Sequence, residues 1–330
     1  MSSSSRVKVA AAQLGSILFD VPATLHKVEQ TCRQAVRAGV RLVVFPEALL
    51  GGYPKGVDFG SKVGSRSDAG RDLFRRYSDA AILCPGPETE QIAAWSDEFD
   101  LHLVIGAIER SQGTLYCCTL MFVPGAGLVA KHRKLMPTAS ERLIWGFGDG
   151  STMPLVDTEI GRLASAICWE HYMPMFRQYL YAGGVQIWCA STVDEREMWR
   201  VSMRHIAYEG RCFVISACQY FTRADCPSDF QPIQGSTPDT VLIHGGSMIV
   251  SPFGEVLAGP LEGGEGLVTA EIDLDEIARG KFDLDVAGHY ARPDVFRLAV
   301  DVTAKPAVST ENGEPSVVQA TLPRGIRTEV

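Results

Sequence analysis

Short runs that are apolar on both faces, separated by amphipathic helix patterns, constrain this chain more than any other feature. Residues 41–45 (RLVVF), 162–167 (RLASAI) and 185–190 (VQIWCA) show no polar alternation, so as strands they have no face suited to water. Further strands are expected at 7–13, 103–108, 115–123, 128–131, 211–219, 246–251, 253–257 around a Gly254 turn, and 266–272. Helices are expected at 22–38, 68–81, 89–99, 173–182 and 195–208, with Gly39 ending the first and Gly210 the last. A Gly-rich, charged loop precedes residue 162. The fold class is therefore α/β. About ten to twelve strands exceed what one compact open sheet carries, which implies two packed β-sheets covered by helices.

No Pro-rich, Gly/Ser-rich or like-charge stretch interrupts residues 6–300, so residues 1–302 are expected to form a single domain. From Thr303 the tail is polar, Pro-containing and aperiodic, and residues 303–330 are expected to be disordered or to dock on a partner subunit. The formal net charge of −8 argues against nucleic acid or an anionic membrane as the main partner, because both need a concentrated basic surface. A small-molecule substrate fits better. Residues 1–9 lack an apolar core of signal-peptide length and no later run approaches a membrane span, so a cytoplasmic location is expected. Nine cysteines without a Cys-x-x-Cys pair suit a reducing compartment, and the scattered histidines offer no zinc spacing.

Cys168 ends the 162–167 strand and precedes a helix, a place where a thiol can project into a cleft and where a helix start favours thiolate. The competing reading is a cysteine that fills core space. Glu47 follows Val-Val-Phe-Pro at a strand tip, where partial desolvation raises a carboxyl toward a value suited to a general base; the competing reading is a solvated loop glutamate. The segment Gly51-Gly52-Tyr53-Pro54-Lys55-Gly56 after it has the composition of a shaped loop. Lys134, in Lys131-His132-Arg133-Lys134-Leu135, offers an ammonium that stabilises developing negative charge, unless these four cations form a solvated patch. Glu141 either pairs with that lysine or caps a helix. Gly125-Ala126-Gly127 and Gly146-Phe147-Gly148-Asp149-Gly150 stand in the wrong context for nucleotide loops, and no Gly-x-Ser-x-Gly elbow is present.

Taken in order, Phe45-Pro46-Glu47, Lys131-His132-Arg133-Lys134-Leu135 and Ile167-Cys168-Trp169-Glu170 resemble the three signatures of the nitrilase superfamily. The likeness runs from the first strand to His289-Tyr290-Ala291-Arg292-Pro293-Asp294. Glu141-Arg142-Leu143-Ile144-Trp145-Gly146 and Cys168-Trp169-Glu170-His171-Tyr172-Met173-Pro174 look like the nitrilase branch, and Gly-Gly-Tyr-Pro-Lys-Gly looks closest to plant-type nitrilases and their bacterial relatives. The resemblance implies an α-β-β-α sandwich that assembles as a homo-oligomer, a dimer or larger, in some relatives a spiral. It implies Cys168 as nucleophile, Glu47 as general base, Lys134 as stabiliser of the tetrahedral intermediate, and Glu141 as the second glutamate that positions lysine and water. Tyr53, Trp169 and Tyr172 match substrate-binding positions.

The implied activity is hydrolysis of an organic nitrile, arylaliphatic or aliphatic and including β-cyanoalanine, to the acid and ammonia. Such chemistry has no redox step and needs no Lewis acid, so neither metal nor organic cofactor is expected. An amidase or a nitrile-hydrating enzyme of the same superfamily is the alternative, and a catalytically silent scaffold comes after those. The chain departs from the plant-type pattern at residues 193–197 and 223–239, two stretches expected to border the pocket.

Overall fold

The computed structural model describes residues 5–306, so the expectation for the tail lies, past Pro306, outside the described residues. Two main sheets organise the described chain. The first runs, edge to edge, through Gly266–Asp273 (β15), Arg6–Gln13 (β1), Leu42–Val44 (β2), His102–Ser111 (β5), Thr114–Val123 (β6) and Gly127–Arg133 (β7). The second runs through Tyr220–Thr222 (β12), Val241–Val250 (β13), Phe213–Cys218 (β11), Ile187–Thr192 (β10), Gly161–Ile167 (β9) and Leu155–Thr158 (β8), with Val256–Glu262 (β14) also paired to β13. Ser61–Lys62 (β3) and Ser65–Arg66 (β4) form a separate small hairpin.

Each main sheet has a parallel centre, β1-β2-β5 in one and β9-β10-β11 in the other, with antiparallel strands outside it. The parallel strands are the ones whose sequences lack alternation, because both of their faces are covered. In β1, Val7, Val9 and Ala11 face the second sheet, where they meet Ile187, Cys189 and Phe213, while Ala10 and Ala12 face the helices. The helices Val21–Arg37 (α1) and Pro87–Phe99 (α3) cover the first sheet through Leu25, Val28, Ile92 and Trp95. The helices Pro174–Ala182 (α4) and Glu197–Gly210 (α5) cover the second through Phe176, Leu180, Trp199 and Met203. The layers are helix, sheet, sheet, helix. Asp68–Asp79 (α2) flanks the site, and Asp275–Asp283 (α6) follows β15.

Several local expectations need correction. The first helix stops as expected, with Gly39 at a φ of 72°, but α5 includes Gly210 and is capped instead by Arg211 at a φ of 48°. Gly210 is required for space, since a Cβ there would collide with the Tyr181 ring. Of residues 253–257 only the last two are strand: residues around Gly254 form the expected turn between β13 and β14, and β14 starts at Val256 and continues through Gly259 and Pro260 to Glu262. The loop before residue 162 contains β8 and two 3-10 turns, and α6 is a further helix that the expectations did not include.

Candidate active site

Strand direction brings three distant segments to one edge of the sandwich. β2 and β5 are parallel, while two successive antiparallel pairings, β5 to β6 and β6 to β7, turn β7 back to the direction of β2. Glu47 follows the end of β2, and Lys134 follows the end of β7. Cys168 follows the end of β9 in the facing sheet. Ligands in α/β sheets bind outside such carboxyl ends.

Glu47 sits in a tight turn with Ala48 at a φ of 52°. Gly106 on β5 makes room for that turn, since a Cβ there would collide with the Pro46 carbonyl oxygen. Two bonds from the second sheet hold the turn: Ser191 Oγ donates to the Phe45 carbonyl at 2.7 Å, and Gln219 Nε2 donates to the Glu47 carbonyl at 2.7 Å. The solvated-loop reading of Glu47 therefore fails, because the side chain is fully buried.

Lys134 is equally buried and donates from Nζ to Glu47 Oε1 at 2.6 Å and to Glu141 Oε2 at 2.8 Å. Glu141 performs both of its expected roles. Its Oε2 also accepts the Thr138 N–H at 2.6 Å and so caps the 3-10 turn Ala139–Leu143, while Oε1 accepts the Tyr53 hydroxyl at 2.8 Å. Of the other cations in the run, Lys131 and Arg133 turn to Glu109, at 2.5 Å and 2.7 Å.

Cys168 opens the 3-10 turn Cys168–Tyr172 with a φ of 50°, a left-handed conformation that non-glycine residues seldom adopt. Two neighbours missed in the sequence hold it there. His171 Nε2 accepts the Trp188 indole N–H at 2.9 Å, which leaves Nδ1–H to donate to the Cys168 carbonyl at 2.6 Å. Burial pushes His171 down to about 4, keeping it neutral. Glu170 is the second. Its two carboxylate oxygens accept the N–H of Leu135 at 2.6 Å and of Ile167 at 2.7 Å, the residues next to Lys134 and Cys168, and His132 Nε2 lies 2.9 Å from Oε2. Both residues stand in the quoted Cys168 motif, but nothing in a sequence says which way a carboxylate points.

The electrostatics follow from enclosure. Burial pushes the Glu47 carboxyl above the ordinary glutamate value, and Lys134 opposes this only in part. Burial alone would depress Lys134, but the charges of Glu47, Cys168 and Glu141 together outweigh it and hold the ammonium well above the usual lysine value. The Cys168 thiol is also pushed well up, first by burial and then by the charge of Glu47. A helix start therefore does not leave a resting thiolate here, contrary to expectation. The site needs a base beside the sulfur, and Glu47 Oε2 is buried with no hydrogen-bond partner of standard geometry among the described residues.

A cleft of about 800 Å³ reaches the cluster at Glu141, with Tyr53, Trp145, Leu143, Phe59 and Ile233 among its walls; Glu47, Lys134 and Cys168 do not line it. Asp229, Phe230, Gln231, Ile233 and Gln234 of the divergent 223–239 loop line it, as expected, whereas residues 193–197 do not. Trp169 and Tyr172 do not. They are 41% and 38% exposed and packed edge to face at 5.8 Å, with the Trp169 indole donating to Asp194 Oδ2 at 2.9 Å. Among the described residues no group of three His, Cys, Asp or Glu is arranged to hold a metal ion.

Comparison with known proteins gives the family. Residues 8–282 match the carbon-nitrogen hydrolase family. The chain is 54% identical over 303 residues to Nitrilase blr3397 of Bradyrhizobium diazoefficiens, covering 92% of this chain and 94% of that protein. It is 50% identical over 303 residues to the bifunctional nitrilase/nitrile hydratase NIT4B of Nicotiana tabacum, covering 91% and 87%. The C. elegans NitFhit structure superposes with a TM-score of 0.71 at 19% identity, over 93% of this chain and 70% of that one, a likeness of fold. The chain belongs to the carbon-nitrogen hydrolase family, on its nitrilase branch.

Proposed function

We propose that this protein is a nitrilase that converts an organic nitrile to the carboxylic acid and ammonia through covalent intermediates on Cys168. The observation that carries this reading is the sharing of one buried site by a thiol, a carboxylate with an unused oxygen, and an ammonium clamped between two carboxylates. Glu47 takes the Cys168 proton as the sulfur attacks the nitrile carbon. One π pair of the C≡N bond moves to nitrogen, which takes up that proton, giving a thioimidate. Lys134 and the backbone N–H of Trp169 offset charge on nitrogen. Water, deprotonated by Glu47, adds to the thioimidate carbon; the C–N bond breaks, ammonia leaves with the proton, and a thioester remains. A second water cleaves the C–S bond, releasing the acid and restoring the thiol. Glu141, tied to Lys134 and Tyr53, positions the lysine and the water.

The apolar walls of the cleft suit arylaliphatic and medium aliphatic nitriles, with Tyr53 in contact with substrate. Lys55, Arg76 and Asp229 on the same walls keep a zwitterionic nitrile such as β-cyanoalanine in the set. Trp169 and Tyr172, in the same 3-10 turn as Cys168, are read as substrate-binding residues beside the sulfur. A tetrahedral adduct that expels sulfur instead of nitrogen gives an amide, and the name of the tobacco relative supports that second outcome. Residues 1–302 are read as the hydrolase domain, working in the cytoplasm as a homo-oligomer. Self-association is supported by Met175 on α4 and Met198 and Val201 on α5, which leave 66%, 64% and 44% of their surface exposed on the outer layer. Among the described residues no helix is long and apolar enough to cross a membrane. A panel of nitriles and matching amides, assayed for ammonia, acid and amide, tests the assignment. Ammonia and acid from nitriles support it, and ammonia from amides alone replaces it with an amidase.

A further inference from the structure

β10 delivers its last residue, Thr192, against the sulfur of Cys168. The threonine is fully buried and its Oγ1 lies 3.3 Å from Sγ. Thr192 is the donor in this contact, and the same Oγ1 accepts the backbone N–H of Asp194 at 2.9 Å. The amide occupies a lone pair and leaves the hydroxyl proton free for the sulfur. A threonine at the end of a buried strand ordinarily donates to a nearby backbone carbonyl; here the recipient is a cysteine side chain. Asp194 holds the next residue as well, since its carboxylate accepts the Trp169 indole N–H at 2.9 Å and pairs with Arg196 at 2.5 Å. The turn 192–194 thus grips both the cysteine and its neighbour, and it opens one of the two stretches that depart from the plant-type pattern.

We propose that Thr192 is a positioning residue that fixes the Cys168 sulfur and favours its thiolate by hydrogen-bond donation, an inference that rests on Cys168 as nucleophile. The environment demands such a donor. Burial and the carboxylates Glu47 and Glu141 all oppose a negative sulfur, and Lys134 is already engaged by both carboxylates. A neutral hydroxyl stabilises the anion without adding a charge that would hold Glu47 ionised and weaken it as a base.

The test compares Thr192→Ser with Thr192→Ala, which lose the same methyl group and differ only in the hydroxyl. Cys168 carbamidomethylation by iodoacetamide at neutral pH, located by peptide mass spectrometry, is read beside kcat and KM for a nitrile. Thiolate displaces iodide in that reaction, so its rate follows the anion. The alanine variant is expected to alkylate about tenfold more slowly than the serine variant and to lose kcat by a similar factor with KM unchanged. Equal alkylation rates and equal kcat in the two variants overturn the proposal. Should the alanine variant melt before assay temperature, Thr192→Val, which fills the space, takes its place with the same expectation. Failure of the nucleophile assignment is a separate outcome: Cys168→Ala then retains turnover whatever the Thr192 variants do.

Discussion

Glu47 and Lys134 form an ion pair at 2.6 Å in which neither side chain reaches solvent. A pair so enclosed has no water to fall back on when one member is removed, which separates it from the exposed pairs of α2, such as Arg75 with Asp79. Lys134→Ala leaves Glu47 and Glu141 facing each other without a cation. The expected result is loss of turnover together with destabilisation of about 3–5 kcal/mol, measured by denaturant unfolding. A change below about 1 kcal/mol would show that the pair is open to water.

The pH dependence of turnover follows from Glu47. Its carboxyl is held above the ordinary value of 4.5, and the proposed base acts only when ionised. Activity is therefore present above the folded-state pKa and lost as the pH falls through it, so the acid limb of kcat/KM should have its midpoint above 4.5. Glu47→Gln should lower kcat by about a hundredfold or more. A wild-type acid limb at or below 4.5 contradicts the buried-base reading.

Glu170 acts in the opposite sense. Burial raises its carboxyl, but His132 and the N–H groups of Leu135 and Ile167 outweigh that and hold it below 4.5. A depressed folded-state pKa contributes stability above the unfolded value, and that stability is lost as the pH falls through the folded one. Glu170→Gln should cost about 2 kcal/mol at neutral pH, with the gap to wild type narrowing as the pH drops below 4.5. Melting curves across that range check it, and a gap independent of pH would refute it.

Tyr53 meets both the cleft and the buried cluster, and its hydroxyl donates to Glu141 Oε1 at 2.8 Å. Removing that hydroxyl leaves Glu141 to Lys134 and the Thr138 N–H alone. Tyr53→Phe should lower kcat/KM by about tenfold while the fold stands, given the value of a hydrogen bond to a charged group. Steady-state kinetics beside a melting curve decide it; unchanged kcat/KM means that Glu141 needs no help from the tyrosine.

How much of this was legible depended on whether burial or orientation set the feature. The runs at 41–45, 162–167 and 185–190 announced themselves because strands buried on both faces must be apolar throughout, and they correspond to β2, β9 and β10. Strand ends then located Glu47, Lys134 and Cys168. Orientation left no such trace. Composition does not tell that Glu170 points back to Ile167 and Leu135, or that Thr192 faces a sulfur. Trp169 and Tyr172 share a 3-10 turn with Cys168, and like Cys168 they are not among the residues that line the cleft. β14 was legible only as far as Leu257, because Gly259 and Pro260 interrupt its pattern.

The central claim is that Cys168 carries the substrate. Intact-mass spectrometry of the protein quenched in acid during turnover of a slow nitrile measures this directly, with the site located by peptide mapping. A covalent acyl or imidoyl adduct on Cys168, absent from a folded and inactive Cys168→Ala variant, is the expected result. An adduct on another residue, or turnover by the alanine variant at a rate comparable to wild type, would contradict it.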